Sequence, residues 1–276
     1  MSSNSRKSAL FATAAIASTV FALDALEGRK LFNSVSMSWS GTTHVTPVML
    51  DHGFVLQTTE TDAPHKLAFD INVQTNATSM ASMASIKVWP IGKIKEAEYV
   101  TCVFADEPSN LTINTSAGDD KLIVTATGLV NNDSWSQSGM RIEANTYEGN
   151  DRVEMNAQPV EVYTGPGNDT IYGSQFRDYI VPGTGTNHVF ARGGNDIVSL
   201  DSGINYVDLG AGDDTVWMVS FAFDGKRDKI IGGAGFDKIN VGYETYEDPG
   251  LVLVTLVTKE VKNHSIESIS AEPMKG

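Results

Sequence analysis

Apolar positions along this chain follow two regimes, and both have the spacing of strands rather than helices. In the first half, short runs at 35–39, 55–58, 68–73, 86–88 and 99–104 alternate in part between apolar and polar residues and are split by polar turns, as half-buried strands do. The Met/Ser/Ala stretch at 78–85 reads as a loop. In the second half, single aliphatic residues recur at Val153, Ile171, Ile180, Val189, Val198, Val207, Val216, Ile230 and Ile239. Each stands two positions after an Asp or Asn: Asp151, Asp169, Asp178, Asn187, Asp196, Asn205, Asp214, Asp228 and Asp237. A glycine precedes most of these by two, at Gly149, Gly167, Gly185, Gly194, Gly203, Gly212 and Gly235. From Asp169 to Asp214 the period is nine residues, and the skipped unit at Val160 and Val162 keeps its phase. Such a fixed short period predicts a solenoid of short strands joined by Gly/Asp turns, in which each unit needs its neighbours to bury a face.

The segments Gly165-Pro-Gly-Asn-Asp-Thr-Ile, Gly210-Ala-Gly-Asp-Asp-Thr-Val and Gly232-Gly-Ala-Gly-Phe-Asp-Lys-Ile resemble the nonapeptide G-G-x-G-x-D-x-U-x of RTX, or haemolysin-type, calcium-binding proteins. An isolated copy, Ala117-Gly-Asp-Asp-Lys-Leu, precedes them. The resemblance is confined to roughly the C-terminal half. It implies an all-β chain built on a parallel β-roll in which six residues turn and three form a strand, so that like turns stack 18 residues apart. The expected organisation is an N-terminal apolar helix or signal segment over 1–33, a β-rich part over 34–113, the calcium-binding β-roll over 114–242, and a capping strand and tail over 243–276. The resemblance further implies Ca2+ bound by Asp151, Asp169, Asp178, Asp196, Asp214, Asp228 and Asp237. The turn residues Gly165, Gly167, Gly194, Gly210, Gly212, Gly233 and Gly235 belong to the same expected sites. The alternative is a metal-free solenoid in which Asp and Asn stack as turn formers and bond their own backbones.

Three structural expectations follow from the repeat. One aliphatic side chain per unit makes a thin core, at roughly 1.5–3 kcal/mol each, so a bound dication has to contribute. Stacking alternate units puts Asp178, Asp196 and Asp214 on one edge and Asp169, Asn187 and Asn205 on the other; a bulge within 218–226 then adds Asp237 to the first and Asp228 to the second. Calcium should bind more tightly on the all-Asp edge, because affinity depends on ligand charge. Finally, Tyr172, Phe190, Tyr206 and Ile231 should point away from the core, a face apolar enough to require cover, by the N-terminal half or by another subunit.

Charge narrows the partners. Asp plus Glu number 34 against 20 Lys plus Arg, a net charge of −14, which argues against nucleic acid and anionic membranes and favours cations. Cys102 is alone, so neither an intramolecular disulfide nor a multi-cysteine zinc site is available. Arg6 and Lys7 followed by the apolar run 9–23 have the layout of a secretory signal cleaved after Ala22, or of a retained helix; the run is short for a membrane anchor. Neither His-Glu-x-x-His nor Gly-x-Ser-x-Gly occurs, and the spacing of His264 and Glu267 carries little on a strand or tail. The expectation is a secreted or cell-surface structural protein without enzymatic activity, such as a surface layer, fibre, adhesin or virion component, with a homo-oligomer or surface assembly as its expected partner state. A carbohydrate-active enzyme (lyase or epimerase) or a glycan-binding module is the alternative, since paired carboxylates have no fixed spacing.

Overall fold

In the computed structural model, the described residues are 37–39, 43–50, 53–60, 66–75, 82–104, 110–127, 141–156, 159–219, 228–243 and 266–273. The N-terminal segment 1–33, the 218–226 bulge beyond Val219 and the strand expected after residue 250 lie outside them, apart from 266–273. Among the described residues the fold is all-β, with one 3-10 turn at Ile94–Glu96 and no helix long and apolar enough to cross a membrane.

The strands form two sheets. Eleven strands make the first, in the order β1(Met37–Trp39), β2(Thr43–Leu50), β3(Gly53–Glu60), β7(Asn110–Asn114), β9(Arg141–Asn145), β11(Val160–Tyr163), β13(Tyr179–Val181), β15(Ile197–Leu200), β17(Thr215–Val219), β19(Lys238–Tyr243) and β20(Ser268–Pro273). Nine make the second, in the order β18(Lys229–Ala234), β16(Gly203–Ala211), β14(Gly185–Phe190), β12(Thr170–Tyr172), β10(Arg152–Asn156), β8(Lys121–Thr127), β4(Leu67–Thr75), β5(Ser82–Pro90) and β6(Glu98–Phe104). From β6 to β19 successive strands alternate between the two sheets, so each pair of strands there is one coil. Parallel pairing sets the period directly: Ile171 faces Val189, Val189 faces Val207, and Val198 faces Val216, each 18 residues on. Beyond the bulge the step is 23, with Val207 facing Ile230 and Val216 facing Ile239.

Coiling begins before the repeats. β3 pairs in parallel with β7 and β4 with β8, so the β-rich stretch supplies the first coil of the same two sheets. Antiparallel strands β1 and β2 extend one sheet past it, and β5 and β6 extend the other. Part of the 78–85 stretch read as a loop is strand: residues 82–85 open β5, where Ser82 and Met83 face Phe104 and Val103. Met83 and Ala84 are adjacent and flanked by Ser82 and Ser85, which hides the alternation.

A single core runs from Val45 to Val241 between the sheets. It is thicker than one aliphatic residue per unit. The residue four positions after each Asp or Asn also turns inward: Met155, Ala191, Leu200, Leu209, Met218 and Val241 are all buried, because positions two apart on a strand share a face. At Gly173 and Pro182 the same position is small and the strands shorten to three residues.

Candidate metal-binding edges

Turns from the first sheet to the second stack into one edge of the roll, and turns back stack into the other. The repeat Asp or Asn ends each turn with its side chain folded inside it, and along both edges these side chains form a ladder. On the first-to-second edge the N–H of Leu67 donates to Oδ1 of Asp120, that of Asp120 to Asp151, and that of Asp151 to Asp169, each at 2.8 Å. The N–H of Asp169 reaches Asn187 Oδ1 at 3.1 Å, and that of Asn205 reaches Asp228 Oδ1 at 2.6 Å. On the return edge the N–H of Val160 donates to Asp178, Asp178 to Asp196, Asp196 to Asp214 and Asp214 to Asp237, at 3.1, 2.8, 2.7 and 3.0 Å. One carboxylate oxygen per level is thus consumed by the backbone of the level before.

The second oxygen separates the levels. Oδ2 of Asp151, Asp169, Asp196, Asp214 and Asp237 is buried with no hydrogen-bond partner, on side chains that are 0–2 % exposed. A buried, unpaired carboxylate oxygen is costly unless a cation meets it. At Asp120 and Asp178 the same oxygen is satisfied by the chain itself. The N–H and Oγ of Ser116 both donate to Asp120 Oδ2, at 2.9 and 2.8 Å. Ser174 N–H donates to Asp178 Oδ2 at 2.5 Å and its Oγ to Oδ1 at 2.8 Å. These serines take the place of the repeat glycine four residues before the Asp.

The Asn levels differ again. Asn187 Nδ2 donates to Gly183 O and to Asn205 Oδ1, both at 3.2 Å. An NH2 group therefore fills the inside of this turn and occupies its carbonyl.

Protonation responds to the crowding. Burial chiefly pushes the carboxyls of Asp151, Asp178 and Asp214 up to about 7 and that of Asp120 to about 6. Asp196 reaches about 9, burial being joined by the charges of Asp178 and Asp214; Asp169 and Asp237 are also raised, mainly by burial.

The glycines set the turn shape. Gly165, Gly210 and Gly233 take φ of 81°, 96° and 107°, and Gly194, Gly212 and Gly235 take 117°, 146° and 137°. At Gly212 a Cβ would lie 1.7 Å from Gly194 O, so the coils stack too closely for any side chain. Tyr147 and Arg192 hold the same left-handed position as Gly165 and Gly210, with φ of 67° and 80°. Gly167 packs similarly against Gly149 O.

The fourteen expected site residues all lie in the stacked turns or, for Gly210 and Gly233, near the ends of β16 and β18 that lead into them, but they are not equivalent. Oxygen-only donors are left available at Asp151 and Asp169 on one edge and at Asp196, Asp214 and Asp237 on the other, a set that suits a hard divalent cation. Asp120, Ser116, Ser174 and Glu267, absent from the expected set, join the ladders. Asp120 is signalled by Ala117-Gly-Asp-Asp-Lys-Leu but stands 31 residues before Asp151, out of period. Glu267, 30 residues after Asp237, is signalled only by the aliphatic Ile269 two positions on, which pairs with Ile239.

The outward face of the second sheet carries a ladder of its own. Tyr172 stacks on Phe190 at 5.0 Å and 10°, and Phe190 meets Tyr206 at 5.9 Å. Arg152 and Arg192 lie over Tyr172 and Lys229 over Tyr206, at 4.6, 5.5 and 5.1 Å. The expected cover is not provided by the described part of the N-terminal half, which extends the sheets instead. These side chains are half-buried by stacking on one another and under cations.

Residues 145–180, 163–198 and 181–216 match the family model of the RTX calcium-binding nonapeptide repeat. No curated protein and no solved structure matches the chain.

Proposed function

We propose, from the premise that residues 145–216 are RTX calcium-binding repeats, that this chain is an extracellular structural or surface protein whose roll is made rigid by calcium. The observation that carries the calcium part is the row of buried Asp Oδ2 atoms without partners. Asp151 and Asp169 would hold an ion on one edge, and Asp196, Asp214 and Asp237 would hold ions on the other, with turn carbonyls completing the oxygen shell. Calcium would meet the carboxylate oxygens that no hydrogen-bond donor reaches. The Asn187–Asn205 level, filled by an amide, and the serine-clamped Asp178 would stand without metal.

The site also argues for a compartment. Extracellular modules bind calcium at about 10⁻⁴–10⁻³ M, concentrations found outside cells, so the roll would fold after export or release, as a surface layer, fibre, adhesin or virion component. Electron microscopy of the purified chain with and without calcium tests the structural role: ordered assemblies that vanish on chelation support it, and monodisperse particles in both conditions oppose it.

A carbohydrate-active enzyme or glycan-binding module is favoured by one observation, the grouping of Tyr172, His188, Arg152, Arg192 and Glu154 on the second sheet, where Arg192 Nη2 lies 3.6 Å from Glu154 Oε1. The ring faces there are turned to each other, which favours a structural role for the stack. Turnover or binding of anionic oligosaccharides would support the glycan reading.

A further inference from the structure

The last rung of the all-Asp edge is not made by a repeat. At each earlier rung the Asp N–H donates to Oδ1 of the Asp one coil on. At Asp237 it donates instead to Oε2 of Glu267, at 2.7 Å. The N–H groups of Glu267 and Ser268 return to Asp237 O at 3.0 and 3.1 Å, as Lys238 N–H does to Asp214 O at 3.0 Å one level earlier. Glu267 thus stands where the next repeat Asp would stand, at the entrance to β20, which pairs in parallel with β19 through Ile239 and Ile269.

Asp237 is fully buried and its Oδ2 has no partner. Glu267 is exposed, so its carboxylate can be approached from solvent. Both lie beyond the repeats matched at 145–216.

We propose that Asp237 and Glu267 form a terminal calcium site that fastens β20 onto the end of the roll. It rests on the reading of the repeat turns as calcium sites, but it uses a glutamate that belongs to no repeat. The ion would neutralise two carboxylates that otherwise repel across the last rung, so calcium would control whether the C-terminal strand is seated. Glu267 suits the end position because its carboxylate accepts the Asp237 N–H as the repeat Asp does at the earlier rungs.

The test uses the full chain and calcium alone. Stoichiometry is measured by equilibrium dialysis, and amide exchange over 268–273 is followed with calcium and with chelator. Glu267→Gln keeps the acceptor for Asp237 N–H and removes the charge; Glu267→Asp keeps the charge and draws the oxygens back by one methylene. E267Q should bind one ion fewer than the native chain and lose the calcium-dependent slowing of exchange in β20. E267D should retain the ion about tenfold more weakly, since ligand position tunes affinity. Asp151→Asn, on the opposite edge, should lower the ion count and leave calcium protection of β20 intact. A full ion count in E267Q with β20 still protected by calcium overturns the terminal site and leaves the repeat sites standing. Failure of both Glu267 variants to fold in saturating calcium shows a purely structural residue and also overturns it. A native chain that binds no calcium overturns the repeat reading together with it.

Discussion

Asp196 donates its N–H to Oδ1 of Asp214 at 2.7 Å, while Oδ2 of both residues is buried without a partner. One oxygen of each carboxylate builds the solenoid and the other is left for something else. The backbone bonding expected of a metal-free solenoid thus uses one oxygen and leaves the other to the proposed ion.

Asp214→Asn separates the two roles. The amide oxygen can still accept the Asp196 N–H, but a charge that borders Asp196 on one side and Asp237 on the other is lost. In calcium the variant should bind at least one ion fewer and be less stable than the native chain. In chelator it should be more stable, by about 1–3 kcal/mol, because a buried unpaired charge is removed. Denaturant titrations under both conditions check the change of sign.

Ser174→Ala should behave differently. Its Oγ and N–H saturate Asp178 without metal, so loss of the hydroxyl should cost about 1–3 kcal/mol. The cost should be the same with calcium and with chelator, and calorimetry should find the native ion count. A variant that gains an ion would show that serine and calcium compete for this turn.

Much of this was legible in the sequence and some was not, for identifiable reasons. The nine-residue period of Asp and aliphatic positions fixes which residues share an edge, because every coil adds the same two units; the pairing of Val216 with Ile239 confirms the shifted register. The second inward position was missed where Gly173, Pro182 and Ala191 replace larger apolar residues. Asp120 and Glu267 lie 31 and 30 residues from their partners, so insertions conceal a register that only backbone pairing reveals. No periodicity shows which oxygen of an Asp is used.

The calcium-free roll should prefer acid. Its Asp carboxyls have folded-state values raised to about 6 at Asp120, about 7 at Asp151, Asp178 and Asp214, and about 9 at Asp196, against about 3.9 in an unfolded chain. The folded state therefore binds more protons, and its stability falls as pH rises through this window. In chelator, melting temperature should drop steadily between about pH 5 and pH 9; a flat or rising profile would contradict the burial of these carboxylates.

Replacing Phe190 by Ser removes a ring that contacts both Tyr172 and Tyr206. Each aromatic contact contributes about 0.5–1.5 kcal/mol beyond area burial, so the loss should be about 1–3 kcal/mol. Tyr206→Ser should cost about as much, because that ring contacts His188 and Phe190 and lies under Lys229. Unchanged stability in both variants would mark the face as dispensable to folding.

The most direct test of the account is a calcium titration of the chelated full chain followed by far-ultraviolet circular dichroism, with bound metal counted at the end point. The account predicts that β signal, reduced but not abolished in chelator, rises with calcium, that chelator reverses the rise, and that Asp214→Asn shifts it to higher calcium. A β spectrum already complete in chelator, unchanged by calcium and with no metal bound, would contradict it.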